Sequence, residues 1–215
     1  MDVKEFENRR WKGEDQAVQF RHRSALALIR SEEGPVLDLG SGDGLLLSLF
    51  KERGISGKGL DLAEEGVRKT REKGLEAEVY DFGSKKLPFK DGEFGAATLL
   101  DILEHLYDPG SVLKEAARVA RGPVVVGVPN FGSFPARLQV LFGKVPENNL
   151  PKKGHVYWFT LSELLRIAKN AGLSLSELRV NTVFERVPVA GFIFKMLARM
   201  RPSLFGLSFV ARFEK

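Results

Sequence analysis

The sequence predicts an α/β domain in which a mostly parallel sheet is covered by helices on both faces. Three observations carry this expectation. Short apolar runs alternate with helix-periodic segments from Val36 to Val128; a glycine-rich turn joins the first run to the helix after it; and two later runs alternate at strand period. The 215 residues, 43 % hydrophobic and 28 % charged, suit a single domain over 1–215 with a core of its own and exclude a disordered chain.

Residues 14–30 open the pattern. Ala17, Val18, Phe20, Ala25, Leu26, Leu28 and Ile29 recur there at three- and four-residue steps, which predicts an amphipathic helix within an N-terminal cap over 1–33. Residues 35–39 are the first strand and 45–53 the next helix, ended by Gly54. Strand 58–62, helix 64–73 and strand 77–80 follow, then a loop through Lys85, Lys86 and Pro88. Strand 95–100, helix 111–120 and strand 123–128 complete a first half over 34–128. The stretch 129–159, rich in Pro, Gly, Asn and aromatics around a short helix at 134–142, breaks the rhythm as a lid or binding insertion would. In 160–215, Thr160 and Glu163 predict a capping box for helix 161–170, closed by Gly172. Residues 173–183 and 203–213 alternate as strands around an apolar and basic insertion, 187–201, and suggest an antiparallel pair closing the sheet edge.

The chain has no cysteine, which excludes disulfides, cysteine nucleophiles, thiolate zinc sites and iron–sulfur clusters. The charged start Met1-Asp2-Val3-Lys4-Glu5-Phe6 lacks the apolar run of a signal peptide, and no stretch approaches the roughly 18 apolar residues of a membrane span. The expectation is a cytoplasmic protein. Its net charge of +5 is mixed along the chain and permits an anionic partner without naming one.

A parallel sheet takes ligands at the carboxyl ends of its strands, and Gly40-Ser41-Gly42-Asp43-Gly44 occupies the first such place. Small residues there admit a close backbone approach, while the N–H groups opening the next helix favour a group such as a carboxylate. A dinucleotide fingerprint needs a third glycine where Leu45 stands, which argues against NAD, as does the lack of a Ser/Tyr/Lys proton relay. Asp38, just before the turn, would repel a pyrophosphate yet can order the turn and attract an ammonium group. Plainer roles also exist for the acids: Asp38 could cap the turn, Asp61 the next helix, and Asp81 could start a turn.

Val36-Leu37-Asp38-Leu39-Gly40-Ser41-Gly42-Asp43-Gly44 resembles the first motif of the class I S-adenosylmethionine-dependent methyltransferases, and three further motifs match in order up to about Ala120. The resemblance implies a doubly wound, Rossmann-like, seven-stranded sheet, mostly parallel with an antiparallel edge strand. It implies S-adenosylmethionine as cofactor, S-adenosylhomocysteine as product and no metal. By the same resemblance Asp38, Gly40, Ser41 and Gly42 form the first contact, and Asp61 with Leu62 holds the ribose hydroxyls. Asp81 accepts the adenine amino group beside Phe82, and Leu100 and Asp101 lie beneath the methionine part. Leu87-Pro88-Phe89 and Asp91-Gly92-Glu93-Phe94 resemble the small-molecule branch. Val128-Pro129-Asn130-Phe131-Gly132-Ser133-Phe134, Arg137-Leu138 and Arg201-Pro202-Ser203-Leu204-Phe205 are similar to the methionine-biosynthesis W-type proteins. That group implies either a methyltransferase or a noncatalytic cofactor-binding subunit that regulates a partner such as an acyltransferase.

Methyl transfer from a sulfonium needs alignment in a dry pocket, and a base where the acceptor is a hydroxyl or protonated amine. His22, His105 and His155 are the chain's three histidines. His105, in Leu103-Glu104-His105, and His155, in Gly154-His155-Val156-Tyr157-Trp158, are the candidates; shaping the loop and anchoring the lid are their plainer roles. No pair of the three shows metal-ligand spacing. Val128-Pro129-Asn130-Phe131 has the wrong order and place for a nucleic-acid amino methyltransferase motif. Arg9-Arg10-Trp11-Lys12 and Arg21-His22-Arg23 read as a solvated face in preference to a nucleic-acid contact. Residues 187–201 suit an interfacial helix on anionic lipid, though packing over the sheet edge or against a second copy is the plainer reading.

Overall fold

The computed structural model describes residues 8, 11, 16–83, 86–183 and 187–215. The start of the chain, Arg9, Arg10, Lys12, the first two residues of predicted helix 14–30 and Lys85 lie outside them. In chain order the elements are α1 (Phe20–Leu28), β1 (Val36–Leu39), α2 (Leu45–Glu52), β2 (Gly57–Asp61), α3 (Glu64–Glu72), β3 (Glu76–Val79), β4 (Ala96–Leu100), α4 (Pro109–Val119), β5 (Val124–Pro129), α5 (Phe134–Leu141), α6 (Leu161–Asn170), β6 (Ser174–Thr182), α7 (Pro188–Met200), α8 (Pro202–Phe205) and β7 (Gly206–Glu214).

The seven strands form one sheet in the order β3-β2-β1-β4-β5-β7-β6. β1 to β5 pair in parallel, and β7 runs against both β5 and β6. The closing antiparallel pair thus stands at the edge the alternation predicts, with the reversed strand one place in from it. Winding goes outward from β1 in one direction and from β4 in the other, so the strand order reverses between those neighbours, where open α/β sheets take ligands.

Side chains alternate between faces. Leu37, Leu39, Ala97, Leu99, Val124, Val126, Val128, Phe209 and Phe213 pack beneath Val112, Leu113 and Ala116 of α4 and Leu164 and Ile167 of α6. Val36, Ala96, Val125 and Val210 meet Ala25, Leu26 and Leu28 of α1 and Leu46 and Phe50 of α2 on the other face. Both faces are dry at the centre of the sheet, which is why β4 and β5 read as apolar runs, while the outer strands β2 and β3 carry charged residues. Arg212 of β7 locks the α1 end to the sheet: its guanidinium donates to both oxygens of Glu33, at 3.0 and 2.8 Å, and to the carbonyl of Leu28.

Some predicted bounds shift for local reasons. Residues 16–19 are not helical: Gln16 N–H donates to Asp43 Oδ2 (3.2 Å), and Gln19, in extended backbone, donates its N–H to His22 Nδ1 (3.1 Å), so α1 begins at Phe20. α4 starts two residues early because the Asp108 side chain accepts Ser111 N–H at 3.1 Å and Pro109 suits the first turn. β7 starts at Gly206 because Pro202 opens the short turn α8. The bounds of α6 agree with the sequence, but only half of its capping box forms. Thr160 Oγ1 accepts Glu163 N–H (3.3 Å), while the Glu163 carboxylate turns to Arg166 (2.6 and 2.8 Å) and to Tyr157 Oη.

Candidate active site

A cleft of about 1080 Å³ opens at the carboxyl ends of β1, β2 and β4, between residues of α1 and of the segment after β5. Of the residues singled out from the sequence, Asp38, Gly40, Ser41, Asp61, Leu62, Asp81, Phe82, Leu100, Asp101, His105 and His155 line it. Gly42 does not; the Trp11 indole lies over it instead.

The glycine turn is built differently from the simplest expectation. Gly40 and Ser41 donate their N–H groups to Leu60 O, Gly42 to Asp61 Oδ2, Gly44 to Ser41 O, and Leu45 to Asp43 Oδ1. The N–H groups of Gly40, Ser41, Gly42, Gly44 and Leu45 are therefore engaged within the fold. Glycine is required at 40 and 42 for two reasons: φ is +79° and +53°, and a Cβ would come within 2.0 Å of Ile102 or 2.1 Å of Trp11.

The acids divide into distinct environments. Asp61 is buried, with Oδ2 accepting Gly42 N–H and Oδ1 accepting Ala63 N–H, both at 2.8 Å, so it orders the turn as well as facing the cleft. A carboxylate has about four lone-pair sites, which leaves acceptor capacity for neighbouring hydroxyls of a ribose. Asp81 accepts Gly83 N–H (3.2 Å) in a turn of its own beside buried Phe82. Cleft size and donor set together fit an adenosyl ligand: a carboxylate at one strand end for a sugar, and an acid beside an apolar wall for a base. Asp101 adopts φ 54° after β4, conformation that aspartate tolerates better than most residues, and pairs with Arg21 at 3.0 Å. The solvated-face reading thus fails for Arg21. It fails for His22 too, which is buried and held down at about 4 by burial and then by Arg21.

Asp38 does not cap the turn. It reaches across to β4, accepting Thr98 Oγ1–H at 2.6 Å, and burial pushes its carboxyl up to about 7, against the Thr98 bond and with help from the Asp61 charge. From about pH 4 to about pH 7 the folded chain keeps a proton that the unfolded chain has released, so this group's contribution to stability falls as pH rises through that window and is level above it. Asp38→Asn should remove this slope. Melts at about pH 5 and about pH 8 should show the variant gaining on the original by order of a few kcal/mol at the higher pH; an unchanged difference would refute the assignment.

The largest departure from the sequence reading lies on the loop after β4. Leu103–His105 forms a 3₁₀ turn that buries Glu104, whose backbone carbonyl accepts the N–H groups of Val156 (2.9 Å) and Tyr157 (3.0 Å). This docks the insertion so that His155 Nε2 lies 4.0 Å from Glu104 Oε1 and the two imidazoles stand edge to face at 4.9 Å. The ligand atoms of Glu104, His105 and His155 lie within 4.8 Å of one another. Sequence spacing gave no sign of this, because Glu104 and His155 approach only through the docked insertion. His105 Nδ1 lies 3.1 Å from Gly154 O; a carbonyl only accepts, so Nδ1 carries a proton, and in the neutral ring Nε2 holds the lone pair.

Comparison with known proteins agrees with this architecture. The family model for "Methionine biosynthesis protein MetW" matches residues 21–168. The chain belongs to the MetW family. Among curated proteins it is similar to a ubiquinone biosynthesis O-methyltransferase of Dechloromonas aromatica (strain RCB), 35 % identical over 152 residues, covering 66 % of each chain. Another from Cupriavidus pinatubonensis (strain JMP 134 / LMG 1197) is 29 % identical over 67 % of this chain and 61 % of its own. This MetW-family chain thus matches less than two thirds of the length of those relatives. In fold it is similar to magnesium protoporphyrin IX methyltransferase from Synechocystis PCC 6803 with bound SAH, with TM-score 0.68, 17 % identity and coverage of 99 % and 98 % of the two chains. It is likewise similar to an S-adenosylmethionine dependent methyltransferase from Mesorhizobium loti, with TM-score 0.67, 17 % identity and coverage of 89 % and 96 %.

Proposed function

We propose that this MetW-family chain is an S-adenosylmethionine-dependent methyltransferase acting in the cytoplasm on an oxygen of a small-molecule acceptor. The observation that carries the reading is the meeting, in one cleft, of Asp61 and Asp81 from adjacent strand ends with the Glu104, His105 and His155 cluster. The names of the curated O-methyltransferase relatives favour oxygen over nitrogen or carbon.

When bound, the cofactor supplies an electrophilic methyl group on a positively charged sulfur. Asp61 holds the ribose hydroxyls beside Leu62, Asp81 and Phe82 take the adenine, and the Asp38 end of the cleft takes the ammonium of the methionine part. Residues 34–128 form this half, 1–33 cap it, 129–159 are the lid over the acceptor, and 160–215 complete the sheet. His105 Nε2, buried in this structure, would receive the proton that the acceptor's hydroxyl gives up on methylation. His155 and Glu104 orient that imidazole and the lid, and the lid excludes water.

Calorimetric titration with S-adenosylmethionine, S-adenosylhomocysteine and NAD tests the cofactor, followed by a screen of hydroxylated acceptors. Both sulfur ligands should bind and NAD should not; a folded chain that binds none of them would sink the enzyme reading. The match to a methionine biosynthesis family favours one rival, a noncatalytic cofactor-binding subunit that regulates an acyltransferase. Cofactor binding with no turnover on any acceptor, together with a stable complex that alters the partner's rate, would select it.

A further inference from the structure

Two segments leave the sheet at the end that carries the cleft. Residues 131–146 follow β5, whose last residue Pro129 pairs with Ser208, and residues 187–205 follow β6, whose last residue Thr182 pairs with Gly206. Asn130 ties the two together, its Nδ2 donating to the carbonyls of Ser203 (2.9 Å) and Gly206 (2.8 Å).

α7, 13 residues and about 20 Å long, is too short to cross a bilayer. Its inner face carries buried Gly191 and Ala198, with Phe194 set edge-on to Phe205. Its outer face is apolar as well: Val189 (74 % exposed), Phe192 (64 %), Ile193, Met196 and Met200 (75 %) fall at helical spacing on one stripe. Leu141 (77 % exposed) and Phe142 (70 %), at the end of α5 on the same end of the sheet, are exposed apolar residues as well. Apolar surface this extensive marks an interaction site. Its charge identifies the occupant. Neither 131–146 nor 187–213 contains an aspartate or glutamate, while Lys144, Lys195, Arg199 and Arg201 are exposed among the apolar residues.

We propose that this face docks on an anionic lipid bilayer, with the α7 stripe and the end of α5 entering the acyl boundary and the four cations at the headgroups. A second copy of the chain fits less well, since a two-fold contact would set cation against cation with no carboxylate in these segments to offset them. Pro135, Ala136 and Gln139 of α5 line the cleft, so its mouth lies next to the docked face. Docking is independent of which acceptor atom is methylated.

Co-sedimentation with vesicles of phosphatidylcholine, with and without phosphatidylglycerol, tests this, using the whole chain. It should partition onto the anionic vesicles, less so as salt rises. Lys195→Glu with Arg199→Glu should weaken partitioning about twentyfold or more, each cation near the surface being worth about a factor of five. Phe192→Ser with Met196→Ser should weaken it further, with unchanged melting and cofactor titration showing that both variants fold. Equal binding to both vesicle types, or to neither, overturns the proposal. So does a concentration-dependent dimer that the same variants dissociate.

Discussion

Asp61→Ala should abolish measurable binding of S-adenosylmethionine and S-adenosylhomocysteine. Two charge-assisted hydrogen bonds to ribose hydroxyls are worth about 1.5–3 kcal/mol each, so the affinity should fall by at least about a hundredfold. The same change strips the buried acceptor from Gly42 N–H and Ala63 N–H, and each orphaned donor costs about 1–3 kcal/mol of stability. A lost ligand and a loosened turn would look alike in a binding assay. Asp61→Asn narrows the choice, because the amide oxygen still accepts one of the two backbone N–H groups and only the other is orphaned, while the charge is gone. The asparagine variant should lose about 1–3 kcal/mol of stability, less than the alanine variant, and at a temperature where it is fully folded should still bind at least about tenfold more weakly. If it binds as tightly as the original, Asp61 is a scaffold for the glycine turn and the cofactor is held elsewhere.

That double duty of Asp61 also shows what the sequence makes legible. The alternation of apolar runs and helical segments yields the strands and their helices, because the central parallel strands β1, β4 and β5 are buried on both faces and each helix buries one. The acids at the ends of β1 and β2 and after β3 are legible too, since their place relative to the glycine turn is set by chain distance alone. Contacts across the chain are not. Arg21 and Asp101 meet only because α1 lies over the β4 loop, and a basic residue on a helix gives no sign of such a partner. Gln16 reaches Asp43 and stops the first helix short, a tertiary contact overriding helix periodicity. Glu104 and His155 approach because a backbone carbonyl, which carries no sequence signal, receives two N–H groups of the insertion.

The Glu104, His105 and His155 cluster makes the remaining large prediction. With Nδ1 donating to Gly154 O, His105 is fixed as the tautomer whose Nε2 can take a proton. His105→Gln should lower kcat by about 10²–10⁴-fold, the range of a lost general base, and leave the cofactor titration unchanged. It should also remove the acid limb that a histidine base imposes on the pH–rate profile. Glu104→Gln acts through its neighbours. The insertion is anchored by the Glu104 backbone carbonyl, which the substitution keeps, so it should stay docked while the carboxyl group beside the imidazoles is replaced by an amide. A positioning role therefore predicts a smaller fall in kcat with the acid limb retained but displaced, and His155→Gln should resemble Glu104→Gln more than His105→Gln. A purely structural His105 would instead give a lower melting temperature, an intact pH limb and a kcat within a few fold of the original. If His155→Gln, and not His105→Gln, removes the limb, the base is His155, and the Gly154 carbonyl serves to hold the lid.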